Sequence, residues 1–218
     1  MARLASTTAV LKATGCTPGR IYGRLTDVQT YTAMLEARCD LFTNLAEELA
    51  SALVDDRIDY VAGDAPEGFN PTHDVCRLVI NAAVELVRRR GRRRLPGFDF
   101  LLEGPPAGCP EALRPRALML RLDDEAFARK IRAARAYPEL RDEVDSALRE
   151  HREEAFRLEC LRPVEYALDL QGLIGNPPFY ESYGEKQVAA GRYDRVVRHR
   201  QHVVPIAAAL RARLAVQG

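Results

Sequence analysis

One stretch limits the fold more than any other: "IDYVAGDAPEGFNPTHDVCRLVINAAVELVRRR", residues 58–90. Its first seven residues, β-branched and aromatic with a Gly-Asp end, predict a short buried strand. A polar turn follows. Asn70 then stands where a helix cap is wanted and Pro71 at the first helical position, so a second helix is expected over about 71–90. Val75, Val79, Ala83 and Leu86 recur at helical spacing along it. A strand, a tight turn and a long amphipathic helix in that order are the opening of an α/β layer.

The same rhythm runs through the rest of the chain. Thr26 and Gln29 fit a capping box, and Val28, Tyr31, Leu35, Phe42, Leu45, Leu49 and Leu53 predict a helix reaching about Asp55, long enough to contain a break. Further strands are expected at 98–104, 117–122 and 156–161. Helices are expected from Asp123 and Asp124 through Phe127, Ile131 and Ala134, and from Pro138 through Leu140, Val144 and Leu148. Residues 163–180 read as loop. A helix or helix pair is expected over 184–215, with Pro205 as a kink. Residues 1–23 carry little pattern and read as an irregular arm. The expectation is one α/β domain over 1–218, Rossmann-like and layered, with a mainly parallel sheet flanked by helices.

Composition narrows the function classes. A formal net charge of +1 over 218 residues gives no field favouring nucleic acid. No apolar run approaches the ~20 residues of a membrane span, and the first residues lack the apolar core of a secretory signal. Five cysteines without close pairing suit free thiols in a reducing compartment, so a cytoplasmic protein acting on a small molecule is expected. The sequence specifies no oligomeric state.

Chemistry is best sought beyond the carboxyl end of the strand at 58–64, where ligands collect in open α/β sheets. Asp64 lies at that end, and Glu67, His73 and Asp74 follow within ten residues. His73 falls in the first turn of the helix, with its ring directed towards the strand end. Two readings of it stand open. It is a zinc ligand with carboxylates nearby as further ligands or general base, or it is a half-buried histidine satisfied by Asp64 or Asp74. Three other features are weaker. His199 and His202 share a helix face and could reach one metal or anion. Tyr180, Tyr183, Glu185 and Lys186 lie in an expected surface loop suited to a pocket lid. The "RRRGRRR" run at 88–94 offers cations to a helix C-terminus or to phosphate.

Residues 42–86 resemble the middle of the PIG-L/LmbE-like family of zinc-dependent N-deacetylases, where an amphipathic helix leads to a strand, a turn and a His-Pro-Asp-His motif opening the next helix. Asn70-Pro71-Thr72-His73 is similar to that motif in its Pro and final His; Asn70 replaces the first His and Thr72 the Asp. Residues 120–140 and 156–163, with Lys130 and Glu159, resemble later parts of the family core. The resemblance implies removal of an N-acetyl group from an amino sugar or related small molecule, with zinc or another divalent cation. It implies His73 and Asp64 at the metal, Asp74 as a catalytic carboxylate and Asn70 near the oxyanion. Nothing in residues 1–40 is similar to the motif that supplies the family's other zinc ligands. An impaired metal site, or a non-catalytic binding or assembly protein keeping the fold, is the alternative expectation.

Overall fold

The computed structural model describes residues 2–91, 94–170 and 174–215. Contacts divide the chain into two compact units, Arg24–Glu103 with Pro163–Gly218, and Met1–Gly23 with Gly104–Arg162. The architecture is α/β.

The larger unit is built on the stretch that dominates the sequence. Its opening helices are α2 (Asp27–Leu35) and α3 (Cys39–Asp55). The expected single helix breaks between them at Ala37, which takes φ +51° and interrupts the α-helical ladder. The Thr26–Gln29 capping box forms as expected. Strand β1 (Val61–Asp64) then pairs in parallel with β2 (Gly97–Phe100), Val61 opposite Gly97 and Asp64 opposite Phe100. Between them runs α4 (Pro71–Arg89), capped by Asn70, whose Oδ1 accepts from the Thr72 backbone N–H at 3.0 Å. Chain continuity and the cap together fix the first turn of α4 beside the end of β1.

The core of this unit is where α3, α4 and α8 (Val204–Ala215) meet. Ala46 and Ala50 of α3 and Ala82 of α4 are buried small residues that allow close helix packing, while Phe42, Leu78, Leu86, Ile206 and Leu210 fill the remaining volume. Truncating a fully buried leucine such as Leu86 would cost about 2–5 kcal/mol. Pro205 occupies the second position of α8, which continues directly from a π-helical turn at His199–Val203, so it lies within a longer helical segment whose regular ladder is interrupted there, where the sequence placed the break. The expected loop around 179–186 is instead helix α7 (Phe179–Ala189), so the expected C-terminal segment is a helix pair.

The smaller unit contains α1 (Ala2–Thr14), β3 (Leu118–Arg121), α5 (Asp124–Arg135), α6 (Arg141–His151) and all of β4 (Leu158–Pro163) but its last residue. β3 and β4 pair antiparallel, so the ladders of the two units differ in sense where the sequence suggested mainly parallel pairing. Asp123 caps α5 through a bond from the Ala126 N–H at 2.8 Å, and Phe127 and Ile131 form its buried face. Helix α1 replaces the expected irregular arm. It is held partly by polar contacts with distant residues, Ser6 on Glu139 and Thr7 on the Tyr137 hydroxyl at 2.8 Å, and such long-range partners leave no local pattern in the sequence.

Candidate functional site

The site grows out of the turn between β1 and α4. Gly68 takes φ +67°, and a side chain there would meet Ile174 Cβ at 3.1 Å and Pro178 Cβ at 3.2 Å. That conformation lets the turn fold back onto the first turn of α4. The Glu67 and Gly68 N–H groups donate to Asp74 Oδ1 at 3.1 and 3.3 Å. The Gly68 carbonyl accepts from the Tyr180 N–H at 3.2 Å, which ties α7 to the same turn.

His73 and Asp64 are brought together as expected: His73 Nδ1 and Asp64 Oδ2 share a short hydrogen bond. The ring is 37% exposed, the carboxylate 24%. The bond to Asp64 raises the His73 pKa, and burial opposes the rise without cancelling it. With Nδ1 committed to Asp64, Nε2 is the ring atom available for a ligand or a proton. A histidine held by a carboxylate in this way has a fixed tautomer and increased basicity.

Asp74 takes a different place. It is 1% exposed and lies beneath the turn, where it organises the Glu67–Gly68 backbone. Burial pushes its pKa up to about 6, against the opposing pull of the two N–H bonds. Asn70 spends its carbonyl oxygen on capping and on the Tyr31 hydroxyl at 3.3 Å, leaving its amide NH₂ as the group that suits an oxyanion.

Arg77, one turn beyond His73, escaped the sequence reading. It is 1% exposed, and its Nε donates to the Asp64 carbonyl at 2.8 Å and its Nη2 to the Phe98 carbonyl at 3.3 Å. It therefore clamps β1 and β2 from α4. Gly63 makes room for it: a Cβ there would sit 3.1 Å from Arg77 Nη2 and 3.0 Å from Ile80 Cδ1. On α4 it falls roughly opposite the Val75, Val79, Ala83 and Leu86 stripe, the face a helix normally turns to water, so nothing local in the sequence marked it.

The weaker candidates separate. His199 Nδ1 meets the Tyr180 hydroxyl at 3.1 Å, whereas His202 Nδ1 accepts from the Arg198 N–H at 2.7 Å. Burial lowers both imidazole pKa values. Tyr180 is buried rather than part of a lid, and burial raises its hydroxyl pKa. In the basic run, Arg88 and Arg89 bind Glu85, driving that carboxyl down to about 2, and Arg90 binds Glu47. Residues 92 and 93 lie outside the described residues.

A catalytic zinc needs at least three protein ligands. Among the described residues no three His, Cys, Asp or Glu side chains come together to hold a metal ion. His73 and Asp64 are bonded to each other, so Asp64 stands behind the ring and not beside it as a second ligand. The described residues therefore do not fit the expected zinc centre. Comparison with protein-family models, with curated proteins and with solved structures found no match.

Proposed function

We propose that the larger unit is a small-molecule hydrolase core whose working group is the His73–Asp64 dyad. The substrate class is that implied by the sequence resemblance, the N-acetyl group of an amino sugar or a related small amide. The observation that carries the reading is the His73 Nδ1–Asp64 bond at the carboxyl end of β1, which leaves Nε2 as the free edge of a half-exposed ring. From there Nε2 takes a proton from a water as it attacks the amide carbonyl, Asp64 stabilises the imidazolium that forms, and that proton passes to the amine as the C–N bond breaks and acetate is released. The Asn70 amide donates to the oxygen on which negative charge develops. No step runs through a metal.

This reading takes the layering as Rossmann-like and the protein as cytoplasmic. Free thiols at Cys16, Cys39, Cys76 and Cys109 support the latter. No described helix is long and apolar enough to cross a membrane.

The test is acetate release from N-acetylglucosamine conjugates by purified protein, compared with His73→Ala and Asp64→Asn. Release that both substitutions abolish supports the reading. Equal release by wild type and His73→Ala refutes it. A second reading, a non-catalytic binding protein, draws support from the burial of Asp74, which removes the second carboxylate from the exposed side of the dyad. Ligand binding without acetate release, in metal-free and zinc-supplemented protein alike, identifies that case.

A further inference from the structure

Strand β3 of the smaller unit reads Leu118-Met119-Leu120-Arg121, and its three apolar residues are 46%, 48% and 49% exposed. On one side it is covered by β4, with Met119 opposite Cys160 and Leu120 opposite Glu159. The Leu122 N–H donates to the Arg157 carbonyl at 2.8 Å, and bonded and non-bonded pairs alternate along an antiparallel ladder. Leu118 and Leu120 therefore bond β4, while Met119 and Arg121 turn their N–H and C=O groups to the outer edge. Among the described residues no strand pairs with that edge. The usual protections of an edge are missing: β3 has no proline, lysine or bulge, and its one charge, Arg121, stands at its end. Its flanks differ in sign. Arg114 and Arg116 precede it, Asp123, Asp124 and Glu125 follow it, and all five are exposed. Asp124 and Glu125 keep that exposure although Arg157 and Arg129 of the same chain lie against them.

We propose that a second copy of the chain docks on this edge, by antiparallel pairing of β3 with β3 across a two-fold axis. Three features select that occupant. The outward groups of Met119 and Arg121 are placed to exchange backbone bonds with Arg121 and Met119 of the second copy, in a register centred on Leu120 that closes on itself. The same register lays Leu120 beside Leu120 and Leu118 beside Leu122, so apolar side chains meet across the axis in place of water. Antiparallel order also brings the arginine flank of each copy beside the acidic flank of the other, whereas a parallel arrangement would set like charges together. The surface lies within the smaller unit and is independent of the dyad.

The experiment is sedimentation velocity of the full chain at about 1 to 100 μM, against a monomer mass of 24.4 kDa. The wild type is expected to reach twice that mass as concentration rises, and no more. Met119→Pro removes an outward N–H without touching the β4 ladder, and Leu120→Lys sets two cations against each other on the axis. Each is expected to weaken self-association at least about tenfold with unchanged thermal unfolding. Mixing Leu120→Lys with Leu120→Glu is expected to restore the doubled mass, because opposite charges then face each other across the axis. If Met119→Pro fails to fold, Leu120→Lys and the mixture decide the matter. A wild type that stays monomeric over the whole range overturns the proposal. So does a dimer that Leu120→Lys leaves intact, which then uses another surface. A mixture that remains monomeric, or association that continues beyond the dimer, overturns the two-fold pairing.

Discussion

Arg77 Nε donates to the carbonyl oxygen of Asp64 at 2.8 Å, so the residue that orients His73 is itself held from one turn further along the same helix. Strand end, imidazole and guanidinium form one mechanical unit. Arg77→Lys keeps a charge but loses the planar fork that reaches the Asp64 and Phe98 carbonyls together. It is expected to cost about 1–3 kcal/mol in urea unfolding and to lower the His73 titration midpoint seen by NMR. Unchanged stability and an unchanged midpoint would show that the clamp is idle.

Asp64→Asn tests the dyad itself. The His73 pKa is raised in the fold, chiefly by its bond to Asp64, so the bond's stability is fully present below the unfolded value of about 6.5. It is lost as pH rises through the folded value. Removing the carboxylate should move the NMR titration of His73 down and flatten this part of the stability profile. If hydrolysis uses neutral His73 as base, the rise of activity with pH also shifts to lower pH in the variant. A midpoint that stays in place would mean that another group sets it.

Asp74→Asn separates a buried acid from a working one. The folded pKa of about 6 lies above the unfolded value of about 3.9, so the native state holds the proton more tightly and Asp74 contributes a penalty that grows as pH rises from about 4 to 6. Asparagine keeps an acceptor for the Glu67 and Gly68 N–H groups. The variant should therefore gain stability relative to wild type over that interval, measured by denaturant unfolding at pH 4, 5, 6 and 7. A difference independent of pH would be fatal to this account.

Asn70 has two tasks that one substitution can divide. Asp caps a helix as well as Asn does, so Asn70→Asp should leave stability within a few tenths of a kcal/mol, whereas Asn70→Ala should cost about 1 kcal/mol. The aspartate variant lacks the NH₂ group and should lose acetate release despite its intact cap. Full activity in Asn70→Asp would remove Asn70 from the oxyanion.

Gly68→Ala strikes the turn. The left-handed φ and the nearby Ile174 and Pro178 carbons act together, and a loss of about 1–3 kcal/mol is expected. Because Gly68 joins Asp74 to α7, the His199 resonances should shift as well. A change confined to the turn would show that α7 is docked independently.

The elements legible in the sequence were those specified locally. The Thr26–Gln29 box, the Asn70–Pro71 helix start and the Asp123 cap each depend on residues within a turn of one another, and each formed. The spacing left His73 a choice of Asp64 or Asp74 as partner, and the fold pairs it with Asp64. Arg77 was not legible, since its partners are backbone carbonyls of two strands, and main-chain acceptors leave no mark on a sequence. Helix α7 was hidden for a related reason: Asn-Pro-Pro before it and Gly184 within it read as loop, while tertiary contacts of buried Tyr180 hold it in place. Asp74 was misplaced because the chain gives its position on the helix but not the fold-back of the turn that covers it.

The turn residue Gly68 couples the two helices around the dyad: its N–H donates to Asp74 on α4 and its carbonyl accepts from the Tyr180 N–H on α7. A change on α7 that displaces Tyr180 therefore reaches the carboxylate beneath the turn, and anyone redesigning one of these helices has to redesign the other with it.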